Sequence, residues 1–143
     1  MTVAQILNEK GRSVVSISPD EALSAAISIL GEKRIGALLV LTKDGEIAGV
    51  LSERDIVREL ARQGASLLDQ PVSAIMTANV ITTTPGASVA DLMSVMTDGR
   101  FRHIPVVEKG KLCGMVSIGD VVKMRIAEAE MEADSLKAYI QTG

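Results

Sequence analysis

Aromatic side chains are almost absent from this sequence of 143 residues, which contains one tyrosine, one phenylalanine and no tryptophan. Proteins that bind single-stranded nucleic acids usually stack bases on aromatic rings, so the composition counts against that class. Hydrophobic residues still make up 47% of the chain, which argues against disorder and is enough for a sizeable core. We expect that core to be built from Val, Ile, Leu, Ala and Met.

Basic charge and cysteine are scarce as well. The formal net charge is −3, so the chain has no overall positive field to hold a nucleic-acid backbone. The single Cys113 excludes a disulfide within the chain and fits a reducing compartment. The first eleven residues lack the apolar run of a signal peptide, and no stretch approaches the roughly 20 apolar residues of a membrane span. These features predict a soluble cytoplasmic protein with neither nucleic acid nor membrane as a partner.

The sequence also lacks the common motifs of catalysis and metal binding. It contains no P-loop, no HExxH and no GxGxxG, so any NAD binding would not be of the Rossmann type. His103 is the only histidine, whereas a zinc site needs about four ligands, usually with close Cys and His spacing. We therefore expect neither an enzyme nor a metal protein.

What the sequence does contain is an internal repeat. The stretch GVLSERDIV at residues 49–57 returns as GMVSIGDVV at residues 114–122. Upstream, SVVSISP at 13–19 matches NVITTTP at 79–85, and the leader VAQIL at 3–7 resembles VSAIM at 72–76. In both copies, the segment that follows SVVSISP or NVITTTP has apolar residues at the spacing of an amphipathic helix. Leu23, Ala26, Ile27 and Leu30 lie opposite Val89, Leu92, Met93 and Met96.

Each copy is predicted to run strand, helix, strand, tight turn, strand, helix, which is an α/β (α+β) fold. A unit of roughly 60 residues rarely holds a sufficient core alone, so we expect the two copies to pack through their sheets as one pseudo-twofold module. The boundaries are 1–70 for the first repeat with its linker (motif 13–60) and 71–127 for the second. Residues 128–143 are predicted to form a helical extension, which completes one long C-terminal helix.

The repeated Ser-x-x-Asp, Ser52 with Asp55 and Ser117 with Asp120, has two interpretations. Serine before a helix with an acidic residue three positions later is a variant of the capping box. The same geometry keeps a carboxylate ionised at the helix N-terminus, where it can accept hydrogen bonds from the two adjacent hydroxyls of a ribose. Gly49 and Gly114, which precede the two serines, would let another backbone or a flat base approach closely. The pattern alone leaves both interpretations of the Ser-x-x-Asp open.

The whole layout resembles a tandem pair of cystathionine-β-synthase (CBS) domains, with the two nine-residue stretches as the signature and RHIPVV at 102–107 as a second typical element. The resemblance covers residues 3 to about 127. It implies two related clefts that bind adenosyl ligands, each combining residues of both repeats. It also implies a homodimer formed through equivalent helices, here residues 20–31 and 87–98.

Transferred to this chain, the resemblance implies a ribose site at Ser117 and Asp120 and another at Ser52 and Asp55. The first would be completed by Ser18, Gly36 and Ala37, and the second by Thr84, His103 and Ile104. Candidate partners for the phosphates are cationic and include Arg34, Arg54, Arg100, Arg102, His103 and Lys123. The two repeats differ, since IGALLV stands where the second has RHIPVV. We expect unequal affinities and favour Asp120, whose cleft includes the small Gly36 and Ala37.

The function implied is that of a regulatory protein that binds AMP, ADP or ATP and signals to an unknown effector protein by a change of conformation or assembly. A sensor of NAD(H) or S-adenosylmethionine is an alternative within the same class. The other alternative is a structural adaptor with vestigial clefts, in which both Ser-x-x-Asp pairs serve only as helix caps.

Overall fold

A computed structural model describes residues 1–142, which form two compact units. Unit 1 combines Met1–Ser13 with the segment from Thr82 onward, and unit 2 is Val14–Ile81. The elements in chain order are α1 (Val3–Lys10), β1 (Ser16–Ile17), α2 (Leu23–Lys33), β2 (Ala37–Leu41), β3 (Ile47–Ser52), α3 (Glu53–Gln63), α4 (Val89–Gly99), β4 (His103–Glu108), β5 (Lys111–Ser117) and α5 (Ile118–Thr142). The mixed α/β fold and the long C-terminal helix predicted from the sequence are confirmed. The last position of the predicted extension, residue 143, lies outside the described residues.

Unit 2 is built on a three-stranded sheet in the order β1-β2-β3, with β1 parallel and β3 antiparallel to β2. Helix α2 places Leu23, Ala26 and Leu30 in the core, as the helical spacing predicts. Residues 60–70, read from the sequence as a linker, are packed rather than free. They include the end of α3 and a 3-10 helix, Ala65–Asp69, whose Leu67 is fully buried in the same core.

Unit 1 contains the antiparallel hairpin β4-β5, which turns at Lys109 and Gly110. Both turn residues have positive φ, 52° and 76°, as a tight two-residue hairpin requires. Helix α4 buries Val89, Leu92 and Met96 against this unit's core, which again follows the predicted helical face.

The first strand predicted for the second repeat is reduced to one parallel bridge, Thr83 to Val106. The N–H of Thr83 donates to the Pro105 carbonyl at 3.0 Å, and the N–H of Val107 donates to Thr83 at 2.8 Å. A longer ladder would need the next donors to be residues 85 and 105, and both are prolines without an N–H. In the first repeat residue 39 is leucine, and its N–H does donate to Val15 at 3.2 Å, so a short strand forms there.

The leader segments are exchanged between the repeats. Val3, Ile6 and Leu7 of the first leader lie in the core of unit 1 with the elements of the second repeat. Val72 and Ile75 of the second leader lie in the core of unit 2 with the elements of the first. Each compact unit therefore contains one repeat and the leader of the other.

Candidate functional site

The two repeated aspartates lie in the first turns of α3 and α5. In α3, the Asp55 N–H donates to Ser52 Oγ at 3.2 Å. In return, the Ser52 N–H and hydroxyl donate to Asp55 Oδ2 at 3.1 and 3.0 Å. In α5, the Asp120 N–H donates to Ser117 Oγ at 3.2 Å and the Ser117 N–H donates to Asp120 Oδ2 at 2.8 Å. Both pairs therefore form reciprocal caps, and the capping interpretation is confirmed as geometry.

Each carboxylate also has a cationic partner that the sequence analysis did not single out. Arg58, one turn further along α3, donates to Asp55 Oδ1 at 2.8 Å. Lys10, at the end of α1, donates to Asp120 Oδ2 at 2.6 Å. The i, i+3 spacing was a usable signal for Arg58. Lys10 is 110 positions from Asp120 and has no such signal, because only the leader exchange brings it there.

The surroundings of Asp120 keep its carboxyl ionised. Burial raises the pKa of Asp120, but the hydrogen bond from Lys10, the Ser117 N–H and hydroxyl, and the charge of Lys10 together lower it more, so the net pKa lies below the ordinary value. The Asp120 side chain is 25% exposed, against 10% for Asp55. Asp120 is thus a charged acceptor with more of its surface open to solvent.

A third Ser-x-x-Asp, which the repeat comparison did not reveal, begins α4. The Asp91 N–H donates to Ser88 Oγ at 3.0 Å, so this serine caps its helix in the same way. The first repeat has Ala22 and Ala25 at the corresponding positions and no side-chain cap there. A serine cap by itself therefore does not distinguish a ligand site from an ordinary helix start.

Within each unit, the start of a central strand lies beside the Ser-x-x-Asp of the same repeat. In unit 2, Ala37 pairs with Ser52 across β2 and β3, and the Glu53 N–H donates to the Gly36 carbonyl at 2.9 Å. In unit 1, His103 pairs with Ser117, and the Ile118 N–H donates to the Arg102 carbonyl at 2.8 Å. The repeats therefore present equivalent clusters of a capped carboxylate and a strand start.

The remaining predicted residues differ in their exposure to solvent. Ser18 is half-buried and its Oγ accepts from the Asp20 N–H at 3.3 Å, while Ile104 is fully buried in the core of unit 1. Thr84, Arg54 and Arg102 are exposed. Unit 2 contains Ser18, Gly36, Ala37, Ser52, Arg54 and Asp55, and unit 1 contains Thr84, Arg102, His103, Ile104, Ser117 and Asp120. That each cleft is formed by residues of both repeats stays a prediction.

The repeated glycines, Gly49 and Gly114, are each approached closely by a leader segment. A Cβ on Gly114 would lie 2.7 Å from Leu7 Cδ2, and one on Gly49 would lie 2.7 Å from the Thr77 carbonyl and 2.8 Å from Met76 Sδ. Leu7 and Met76 are equivalent residues of the two leaders. The close approach of another backbone, which the sequence predicted, is therefore observed at Gly49, whereas the neighbour at Gly114 is a side chain.

Residues 1–142 contain neither a group of potential metal-ligand side chains nor a helix suited to cross a bilayer. No three His, Cys, Asp or Glu side chains of that range are grouped as metal ligands. In the same range, no helix combines the length and the apolar character needed to cross a bilayer. Cys113 is half-buried against the core of unit 1, and its thiol lies 3.3 Å from the Val106 carbonyl oxygen.

Known proteins contain the same repeated unit as this chain. The family model of the CBS domain matches residues 3–62 and 72–126. The mitochondrial CBS domain-containing protein CBSX3 of Arabidopsis thaliana is 38% identical over 151 aligned positions, which cover 99% of this chain and 73% of that protein. A crystal structure of a CBS-domain containing protein from Agrobacterium tumefaciens is 46% identical, with a TM-score of 0.84, covering 87% of this chain and 92% of that one.

Two more distant structures of the same fold contain adenosyl ligands. CBSX2 in complex with AMP is 24% identical, with a TM-score of 0.71 and coverage of 90% of this chain and 98% of that one. The CBS domain pair of protein MJ0100, in complex with 5′-methylthioadenosine and S-adenosyl-L-methionine, is 22% identical, with a TM-score of 0.78 and the same coverage.

Proposed function

This chain belongs to the family of CBS domain proteins, and on that premise we propose that it is a regulatory protein that binds an adenosyl ligand and signals to another protein. The proposed ligands are AMP, ADP or ATP. The output is a change of conformation or assembly, because binding shifts an equilibrium by its different affinity for two states. Catalysis is not part of this proposal.

The observation that supports the proposal best is the repeated capped carboxylate. Each aspartate is fixed at a helix N-terminus by hydrogen bonds to its serine, and Asp120 has a pKa below the ordinary value. A fixed, ionised carboxylate accepts two hydrogen bonds side by side, which matches the vicinal hydroxyls of a ribose. AMP and S-adenosyl-L-methionine, the ligands in two structures of the same fold, both contain such a ribose.

We propose Asp120 as the principal ribose acceptor, because its side chain is the more exposed of the two. Following the family resemblance, Ser117, Ser18, Gly36 and Ala37 would complete that site. Main-chain N–H and C=O groups would read the edge of the base. The second site would use Ser52 and Asp55 with residues 84, 103 and 104. Exposed arginines, Arg54 and Arg102 among them, would neutralise phosphates.

The signal is proposed to pass through assembly. A homodimer through residues 20–31 and 87–98 follows from the family resemblance, and an effector protein would read the altered surface. The cytoplasm is the proposed compartment, since the single cysteine fits a reducing environment.

The test is thermal unfolding of the purified chain with adenosine, AMP, ADP, ATP, NAD(H) and S-adenosylmethionine. A ligand present at 100 times its Kd adds about 2.7 kcal/mol to the stability of the native state, which raises the midpoint visibly. Asp120→Asn should weaken ligand binding at the first site at least tenfold, and Asp55→Asn should weaken ligand binding at the second site. Asp91→Asn is the matched control, because it changes a residue of the third Ser-x-x-Asp and should leave affinity unchanged.

An adaptor with vestigial clefts is the second candidate function. It is favoured by two observations. Lys10 and Arg58 already pair with Asp120 and Asp55. Leader residues also pack against Gly114 and Gly49. This function predicts no midpoint shift with any nucleotide at millimolar concentration. Asp120→Asn would then cost only about 1 kcal/mol of stability. Turnover of ATP or NAD by the pure protein would contradict both candidates.

A further inference from the structure

The second half of α5 does not pack against the core of unit 1. Val121 and Met124 are the last residues of α5 in the core of unit 1, and residues 129–141 are all exposed. Large apolar side chains nevertheless continue along the helix, with Ile126 55%, Leu136 59% and Ile140 66% exposed. An isolated helix of this length is only marginally stable in water, so a partner that packs on it would stabilise it.

Six of the exposed apolar residues of α5 are spaced as in a coiled coil, whereas Met131, Ala138 and Tyr139 lie off this spacing. Val122, Ile126, Ala129, Ala133, Leu136 and Ile140 follow one another at alternating intervals of four and three residues, and we call them the α5 stripe. In heptad terms Ile126, Ala133 and Ile140 are a positions, and Val122, Ala129 and Leu136 are d positions. Isoleucine at two of the three a positions and Leu136 at one d position are the residue choices that favour two parallel strands.

The charges beside the stripe agree with a second copy as the partner. Arg125 and Glu132 occupy g positions, and Glu130 and Lys137 occupy e positions. In a parallel, in-register pair each g residue meets the e residue five positions later on the other helix. Arg125 would then face Glu130 of the partner subunit, and Glu132 would face Lys137 of the partner subunit. All of these contacts join opposite charges.

Other arrangements are less favourable. In an antiparallel pair centred between Ala129 and Ala133, Glu130 and Glu132 would each face their own copies, which repel. Residues 122–142 contain three cations and four anions, so the helix lacks the basic face that binds anionic membranes.

We infer that the α5 stripe is a self-association surface, on which two copies of this chain form a parallel two-stranded coiled coil. The inference does not depend on the proposed ligand. It also names a surface different from residues 20–31 and 87–98, so the two dimer contacts can be tested separately.

Sedimentation equilibrium of the full chain tests the stripe. Ile126→Ser with Leu136→Ser should raise the dimer Kd at least tenfold or give a monomer, while the circular dichroism of the two units persists. Met131→Ser is the matched control, since Met131 is 58% exposed on the same helix but lies off the stripe. A monomeric parent protein overturns the inference, and so does a dimer whose Kd the double substitution leaves unchanged, as expected if residues 20–31 and 87–98 alone hold the two copies.

A gain of association separates the inference from misfolding. Ala133→Leu enlarges a residue in the stripe and should lower the dimer Kd severalfold, whereas Ala138→Leu, on the outer side of the same helix, should not. Lys137→Glu should raise the Kd by placing a glutamate side chain against Glu132 of the partner subunit, and adding Glu132→Lys should restore it. A failure of the charge exchange to restore association refutes the parallel register.

A disulfide reports the orientation directly. Leu136→Cys in a Cys113→Ser background should cross-link the dimer under mild oxidation, because equal d positions face each other in a parallel pair. A dimer that forms without this cross-link would refute the parallel arrangement.

Discussion

The contact between Leu7 and Gly114 offers a quantitative test of the leader exchange. Leu7 is 1% exposed in the core of unit 1, and its Cδ2 lies where a Cβ of residue 114 would come within 2.7 Å. Leu7→Ala should cost about 3 kcal/mol, the usual range for a buried leucine that leaves a cavity. Gly114→Ala should cost about 1–2 kcal/mol, because the leucine must shift to admit the methyl group.

The two substitutions should not be additive. Once Leu7 is shortened, the methyl group added at position 114 occupies the space that the leucine leaves. The double variant should therefore cost about 3 kcal/mol or less, which is about 1–2 kcal/mol below the sum of the single changes. The assay is urea denaturation of all four proteins, followed by far-UV circular dichroism.

Additivity within about 0.5 kcal/mol would refute the reasoning, because it would mean that residues 7 and 114 do not share this space. Gly31→Ala is the control, since nothing lies within 4 Å of its added Cβ and the residue is in α2 of unit 2. This change should stabilise the protein by about 0.5–1 kcal/mol and add independently to Leu7→Ala.

Two further predictions concern charge and backbone strain. Lys10→Met should raise the pKa of Asp120, because Lys10 lowers it in the parent protein. A carboxyl with a lowered folded-state pKa stabilises the fold above its ordinary pKa and loses this effect as it is protonated. The stability that the variant lacks at neutral pH should therefore shrink as pH falls below about 4. Melting midpoints from about pH 2.5 to 7 measure this, and a pH-independent loss would contradict it. Arg34→Gly and Arg100→Gly should each stabilise by about 0.5–1 kcal/mol, because both arginines end their helices at positive φ, 54° and 58°. Unchanged or lower midpoints would contradict that prediction.

The repeated pattern was sufficient to predict helices α2 to α5, the two hairpins and their inner faces, but not the leader helix α1. Leu23 and Val89 stand at equivalent positions in an amphipathic pattern, and both are fully buried. Such features depend on local periodicity, which the sequence displays directly. The single bridge at Thr83 was also accessible in principle, because Pro85 and Pro105 remove the two donors that a longer ladder needs.

The carboxylate environment could be predicted only in part. The caps at Ser52 and Ser117 follow from a spacing of three residues, so they are local. The Lys10 contact to Asp120 and the packing of Leu7 against Gly114 depend on tertiary placement over more than 100 residues. Neither a propensity nor a motif encodes such a pairing, so the sequence could predict a close approach to the glycines but not that the leader makes it.

The leader exchange also has a consequence for the order in which the chain is made. Unit 2 is one continuous segment, Val14–Ile81, so all of it has been synthesised before the rest of unit 1 exists. Unit 1 closes only when α1 meets β5, and that closure spans the whole of unit 2. Long closures of this kind slow folding. Until then the apolar face of α1 has no core of its own, so α1 is synthesised before unit 2 but buried after unit 2 is complete.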